Sequence, residues 1–589
     1  MTAFLPQHAS SLRRAARTLE LKLQRKVYEY NYTHIPGAAM LDHLPIHDEF
    51  SFGWLELVTE RVLAGIRNRC ELDGDQELLE QHNRQHGVLT GLLRRGLDAV
   101  GEIRLRVHEA LRFEGRRTAP QRSAASMEEF ENIFRAYGLP PVAREYRSDA
   151  VFASMRTAGP NPIMLQRLRE PDLRLPMTEE LFREVVPGDS FAAALAEGRL
   201  YLADYAVLDG AETGVGPGGR KRLFAPLALF VSSVPGRELR PVAIQCRQIP
   251  AADNPLLTPR NGHNWLIAKA IVESADGNLH EGSTHLARTH LAMEAFIMAT
   301  FRQLATDHPL RILLQPHFEG TLAINDSAWK HLVSDGGAVD RLLAGTIGTS
   351  RNLAVQGLRA LHVMNDRLPL TFRRRGVDDR ETLPDYPYRD DSLLYWDAIR
   401  EWVEMYVRLY YEGAADVLED TELQAWGREL AAQDGGRLQG LLNGGAFQVV
   451  DDVVETLTFV LYTCSVQHAA VNFPQADYMT WCPAMPLALY GSAPNSTQGA
   501  TEADYLAMLP TLDMAELQLE VCDLLGSVHY TQLGQYATGH FVDPRVQEPL
   551  RQFQRRLADV GVQIANRNAA RKRPYRTLLP ASIPQSINI

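Results

Sequence analysis

Between residues 280 and 317 the chain spaces five histidines as H-x4-H-x4-H-x17-H-x8-H: His280, His285, His290, His308 and His317. The third opens into the apolar run HLAMEAFIMATF, so the first three lead into a helix with little surface to spare. A five-residue step turns an ideal α-helix by about 140°, which would point His285 and His290 in different directions. A π-type turn, with more residues per turn, brings them to one side, and such turns gather at functional sites. Two imidazoles aimed inward from a buried helix, where protonation is disfavoured, make a natural pair of metal ligands. A single helix histidine is more often a surface or satisfied core residue. Three in register are harder to read that way.

A second pair lies in QHAAVNFPQADYMTW, where His468 and Asn472 are i and i+4 and share one side of a regular helix. An Asn carbonyl is a weak, hard oxygen donor and a poor choice for structural zinc. Histidines plus an amide, without thiolate, suit iron or manganese in an open redox site. The five cysteines are scattered, with no CxxC pair, which argues against a disulfide framework or a thiolate zinc site and favours a reducing compartment. The chain ends LLPASIPQSINI, apolar for a terminus. A tucked tail would bury the α-carboxylate of Ile589, tolerable only if paired or metal-bound. By itself the pattern favours a surface-packed tail whose carboxylate reaches solvent.

The length of 589 residues allows two to four folding units, a prior that large helical enzymes often exceed. Apolar positions recur at three and four through residues 10–30, 54–70 and 78–111, the last with a break expected at Gly96. The basic, polar stretch 113–125 reads as a surface linker. Residues 201–208, 223–231 and 241–245, with the glycine-rich 214–221 among them, suggest a small antiparallel sheet. From Asn264 on the pattern is helical, with long amphipathic stretches over 285–306, 392–412, 421–434 and 449–471. The division expected is a helical N-terminal extension, 1–115, followed by one large unit, 116–589. No stretch reaches the ~20 apolar residues needed to span a bilayer, and the N-terminus lacks a signal-type apolar core, so a cytoplasmic location is expected. A net charge of −11 argues against a nucleic-acid surface.

Taken together, these stretches resemble the lipoxygenase family. The five-histidine array is that family's signature, set in NWLIAKAIVESADGNLHEGSTHLARTHLAMEAF and HPLRILLQPHFEGTLAINDSAW. HAAVNFPQADY and the closing SIPQSINI resemble its other two metal-binding stretches, and FASMRTAGPNP, YLADYAVLDG and LFAPLALF add weaker likeness, so the resemblance covers 134–589. It implies a mainly α protein: a large helical lipoxygenase-type catalytic domain with a minor antiparallel β-sheet. Many members begin with a β-sandwich lipid-binding domain, which the helical N-terminal extension here does not resemble. It also implies one non-haem iron (Fe) per chain, O2 as co-substrate, and a polyunsaturated fatty acid of the linoleate or arachidonate class. A ferric hydroxide would abstract hydrogen and O2 would add on the opposite face, giving a hydroperoxide.

Carried over position by position, the iron ligands fall on His285, His290, His468, Asn472 and the carboxylate of Ile589. Asn at 472 is the variant of plant-like members. His280, His308 and His317 belong to the signature without being ligands. Glu281 and Gln475 match a pair that links the ligand helix to the substrate pocket. Ala328 falls where Ala or Gly controls the oxygenation face, Ala going mainly with S products. Leu332 matches the leucine that clamps the pentadiene, and Gly277, Leu342 and Leu343 match positions that set pocket depth. Ser327 stands where animal members have Arg, which leaves recognition of the substrate carboxylate open. The extension could touch membranes transiently, its plainer role being to pack against the catalytic domain, and no obligate protein partner is implied. The alternatives are a manganese enzyme with the same ligands, a metal-dependent hydrolase, and a catalytically silent lipid-binding protein. The hydrolase lacks an HExxH motif or Asp-rich cluster, and the filled ligand positions argue against the silent protein.

Overall fold

The apolar run after His290 is the C-terminal part of a much longer helix in the computed structural model, which describes residues 3–589 apart from residue 73. Gly262–Leu279, His280–Leu291 and Ala292–Gln303 follow end to end. Nearly every side chain from 264 to 303 is buried, as expected of a helix at the centre of a large core. The amphipathic stretch read over 285–306 is only the second half of it. Its first half carries Lys269, Glu273 and Asp276, which interrupt the apolar pattern yet are buried as ion pairs: Glu273 and Asp276 with Arg156, Lys269 with Asp149.

Against this rod pack Ile347–Ala360, Thr421–Ala431 and the end of the run Val450–Tyr462, Thr463–Gln467, His468–Asn472, and Pro387–Val407 packs in turn on Val450–Tyr462. Apart from Ile347–Ala360, these are close to the three helices expected in the second half of the chain. With 56% of residues helical and 6% in strands, the protein is mainly α with a minor sheet. That sheet is antiparallel, in the order Gln166–Arg167, Leu200–Asp204, Leu227–Ser232, Leu239–Gln245. Leu227–Ser232 is buried at every position because both of its faces are covered, which is why it reads as a continuous apolar run. The glycine-rich residues 214–221 form a separate two-stranded hairpin. Among the described residues no helix is long and apolar enough to cross a membrane.

The N-terminal region supplies four helices: α1 (Ser11–Val27), α2 (Phe52–Leu72), α3 (Gln76–Arg95) and α4 (Val100–Ala110). Ser10 caps α1 by accepting from the Arg13 N–H, and Gly96, at φ +59°, ends α3 at the expected break. Trp54, Leu55 and Val58 of α2 and Ile103 and Val107 of α4 join the same hydrophobic core as the central helix. Stretch 113–125 has no helix or strand, as expected of a linker, yet it is not a free surface segment. Phe113, Ala119 and Ala124 are buried, Arg117 pairs with Glu520, and the N–H groups of Thr118 and Ala119 donate to Glu516 at 2.8 and 2.9 Å. A basic residue that reads as solvated is the counter-ion of a buried glutamate.

Arg17 fixes α1 to the rest of the molecule. Its guanidinium donates to both Glu422 oxygens at 2.7 and 2.8 Å and also reaches Asp307, with all three side chains buried. Removing one member of a buried ion pair strands its partner's charge. We expect Arg17→Met to destabilise the protein by about 3 kcal/mol in chemical unfolding. A loss near zero would show that α1 is not held by this contact.

Candidate metal centre

The segment His280–Leu291 is π-helical, the winding that the five-residue histidine spacing demanded. It turns His285 and His290 to one side, with their Nε2 atoms 3.2 Å apart. From the facing helix His468 brings its Nε2 to 3.4 Å from that of His285. Metal–imidazole bonds of ~2.1 Å give nitrogen separations of ~3.0 Å at right angles and ~3.4 Å at tetrahedral angles, so the three rings stand as ligands of one cation would. Burial pushes the His290 imidazole down to about 3, helped by the neighbouring His285, and pushes His285 and His468 down as well. Neutral imidazoles present lone pairs to a metal. Among the described residues these three form the one group of His, Cys, Asp or Glu placed to hold a metal ion.

Two of the three rings have a partner behind them, while the outer nitrogen of His468 is buried without one. The Nδ1–H of His290 donates to Asn325 Oδ1 at 2.8 Å, which leaves Nε2 as the inward lone pair. Asn325 Nδ2 in turn donates to Glu294 (2.8 Å) and to the His290 carbonyl (3.1 Å). Glu281 lies 3.8 Å from His285 Nδ1 and 3.4 Å from His280 Nδ1. Burial would push its carboxyl up, but the two imidazoles outweigh that and hold it down to about 2, so it stays an anion. His280 itself turns away, its Nε2 at 2.8 Å from the Val471 carbonyl. His308 meets Asp420 at 3.0 Å.

Asn472 follows His468 by one helical turn and is fully buried. Its Nδ2 donates to the Leu525 carbonyl at 2.8 Å, while its Oδ1 accepts from Gln475 Nε2 at 3.0 Å and keeps a second lone pair. Gln475 thus fixes the amide's orientation, and Glu281 faces the opposite ring.

The tail enters the core, against the surface packing that its pattern alone favoured. Every residue from 583 to 589 is buried. The cost is small because the carbonyls find donors: Gln585 from His317 Nδ1 (2.9 Å), Ile587 from Thr321 Oγ1 (2.7 Å), Asn588 from Trp54 Nε1 (2.6 Å). Ile589 lines the same cavity as His285 and His290, and its main-chain oxygen is near enough to the His468 ring to favour a proton on it, so the chain terminus stands beside the histidines.

An apolar cavity opens on the same spot. Ala328, Leu332, Leu342 and Leu343 line it together with Glu281, His285, His290 and Ile589. Its free volume of about 80 Å³ is below the ~300 Å³ usual for ligand pockets, so a long ligand has to displace side chains. Gly277 stands one layer behind the wall rather than in it. A Cβ there would lie 2.8 Å from Leu487 Cδ2, and it is Leu487 that meets the cavity.

Three further residues bear on this centre. Asn325 showed only as one amide in an apolar run, and Trp54 gave no sign of a role. Lys221 gave none either; its buried ammonium donates to the carbonyls of Asp340, Arg341 and Leu343 at 2.7–2.8 Å and so caps the helix Ala338–Leu342 that forms one wall.

The sequence model of the family described as Lipoxygenase matches residues 120–584. The chain belongs to the lipoxygenase family. A "Linoleate 9/13-lipoxygenase" of Pseudomonas aeruginosa is 36% identical over 99% of this chain and 92% of its own length. The rat "Polyunsaturated fatty acid lipoxygenase ALOX15B" is 34% identical over 81% of this chain and 71% of its own. Among solved structures, a lipoxygenase variant "in complex with arachidonate" superimposes with a TM-score of 0.86 at 28% identity, covering 100% of this chain and 84% of that one. A coral 8R-lipoxygenase gives 0.85 at 28% identity, covering 100% and 83%. The likeness to the Pseudomonas lipoxygenase therefore extends beyond the family-matched span into the helical N-terminal region.

Two substitutions test how this lipoxygenase holds its rings and tail. Asn325→Leu frees the His290 ring and should weaken metal retention about 10- to 100-fold, measured by metal content after dialysis against a chelator. Trp54→Phe keeps the stacking on Phe50 (centroids 3.6 Å apart) but removes one donor. A loss of about 1 kcal/mol and faster metal release by several-fold are expected.

Proposed function

We propose that the protein is an iron-dependent lipoxygenase that inserts O2 into polyunsaturated fatty acids to give hydroperoxides. Its ligands in this reading are His285, His290, His468, Asn472 and the carboxylate of Ile589. The observation that carries it is the convergence of three buried imidazoles and the chain terminus on an apolar cavity. Three neutral nitrogens, one amide oxygen and one carboxylate make a thiolate-free set suited to an open redox site. Iron bound there supplies a one-electron acceptor matched to a weak bis-allylic C–H bond. Manganese fits the same donors, and elemental analysis of the active protein decides between them.

The chain's own contribution is positioning. Leu332, Leu342 and Leu343 hold the pentadiene against the histidines and keep water away, and the small Ala328 leaves room for O2 on one face, which favours S products. Asn325 keeps the outer Nδ1 proton of His290 in place, and the Glu281 carboxylate facing Nδ1 of His285 favours a proton there, so both Nε2 lone pairs stay directed inward. The fatty-acid class is supported by the names of the relatives, one acting on linoleate and one solved with arachidonate. Residues 1–115 serve in this reading as an extension to a catalytic unit at 116–589.

The direct test is iron-loaded protein with linoleate or arachidonate, followed by O2 uptake and conjugated-diene absorbance. A preparation that binds one equivalent of zinc and consumes no O2 would falsify the reading. Deleting Ile589, whose side chain is buried in the core, should remove activity and bound metal together and also lower thermal stability, whereas Ile589→Val, which keeps the terminal carboxylate, should retain the metal. Gly277→Ala should press Leu487 into the cavity and shift the ratio of positional isomers, read by chiral chromatography of the products; an unchanged ratio rules out control from this second layer.

A further inference from the structure

Helix α1 turns an apolar stripe outward. Leu12, Ala16, Leu19, Leu23 and Val27 follow one another by four, three, four and four residues, and so share one side. All five are exposed, with Leu12 at 84%, Leu19 at 60% and Leu23 at 55%. A core-facing stripe would be covered, and α1 already has a separate inward face. Arg17, Leu21 and the adjoining Tyr28 are buried, and Arg17 locks the helix to Asp307 and Glu422. The stripe therefore cannot roll inward without breaking that contact.

Charge gives the occupant. Lys22 and Lys26 border the stripe, with Arg14 beyond them, and none of the three makes an ion pair among the described residues. The one acidic residue of α1, Glu20, is engaged inward, accepting from the Thr306 N–H at 2.8 Å and facing Arg311. A chain of net charge −11 thus presents one helix whose outer face is leucines edged by lysines. A protein partner of ordinary polarity would not need that edge, whereas an anionic bilayer matches both parts: acyl chains for the leucines, headgroups for the ammonium groups. Lysine stems lie along apolar surface while their ends reach the phosphates.

We infer that α1 is a docking surface for an anionic lipid bilayer, lying flat in its headgroup region. The inference does not depend on which metal the centre holds. It assigns α1 a function separate from its packing against the core.

The test is co-sedimentation of the full chain with vesicles of phosphatidylcholine alone and with phosphatidylglycerol added. The expected result is binding to the anionic vesicles, weaker binding to the neutral ones, and release on raising salt. The variant Leu12→Ser, Leu19→Ser, Leu23→Ser should lower the partition coefficient more than tenfold, and Lys22→Gln with Lys26→Gln should lower it only for anionic vesicles. These side chains are exposed, so melting temperature and oxidation of dispersed free fatty acid should be unchanged. The inference is overturned if the native chain does not bind anionic vesicles, or if the leucine variant binds as well as the native chain. It is equally overturned if analytical ultracentrifugation finds a dimer that the leucine variant dissociates while vesicles bind neither, which would make the stripe an interface between copies.

Discussion

Three imidazole nitrogens that face one another inside a protein core impose a condition on everything around them. Each ring must be neutral, must carry its proton on the outer nitrogen, and must not rotate. A regular α-helix cannot present His285 and His290 in that way, so twelve residues, His280–Leu291, are wound as a π-helix. A π-helix is less favourable than an α-helix and persists only where its surroundings hold it. Here the flanking Gly262–Leu279 and Ala292–Gln303 are buried almost throughout, and the strained segment is gripped at both ends by core packing. Asn325 then supplies what winding cannot for His290, the orientation of its ring proton, and the Glu281 carboxylate faces the outer nitrogen of His285. The central helix is buried to hold its middle in an uncommon winding, and most of the molecule serves to bury it.

The chain terminus extends that dependence to remote parts of the sequence. A C-terminal segment can be buried only if its carbonyls are satisfied, and the donors here come from His317, Thr321 and Trp54. The first two lie just beyond the central helix, but Trp54 belongs to α2, more than five hundred residues from its acceptor. The N-terminal helices are thus connected to the metal centre by a hydrogen bond as well as by packing, although the family match begins only at residue 120. That connection explains why Trp54 is buried against Phe50 rather than placed on the surface of the extension.

What could be read from the sequence follows from the range of the physics involved. The π-turn was legible because a five-residue step and the need to share a side are both local. His468 and Asn472 were legible for the same reason, one turn apart. Burial of the tail was not, since its pattern describes an apolar terminus without saying where the carbonyl donors will come from; only the family resemblance pointed inward. The helical start near Asn264 was legible but its burial was not, because Lys269, Glu273 and Asp276 look like surface residues until Asp149 and Arg156 fold against them. The 113–125 stretch misled in the same sense, its arginine matched to a glutamate about four hundred residues away. Long-range charge pairing makes polar residues in the sequence into core residues in the fold.

The cavity raises a related point about where specificity resides. Its wall is mostly aliphatic, with leucine the commonest residue, and its free volume is too small for a long acyl chain unless leucines change rotamer. The wall's shape is therefore set less by the residues that touch the space than by those that limit their movement. Asn278 is one of these: its amide nitrogen donates to the Leu487 carbonyl and its oxygen accepts from the Ala344 N–H, tying two walls together. Lys221 is another, gathering three carbonyls at the end of the helix that carries Leu342. Gly277 is the third, since the absence of a side chain there leaves Leu487 room to retreat. Leucine rotamers differ by little in free energy, whereas a buried amide or ammonium that loses its partners costs several times more. The backbone frame should therefore stay fixed while the leucines on it yield, and the depth a chain reaches is governed from the layer behind the wall.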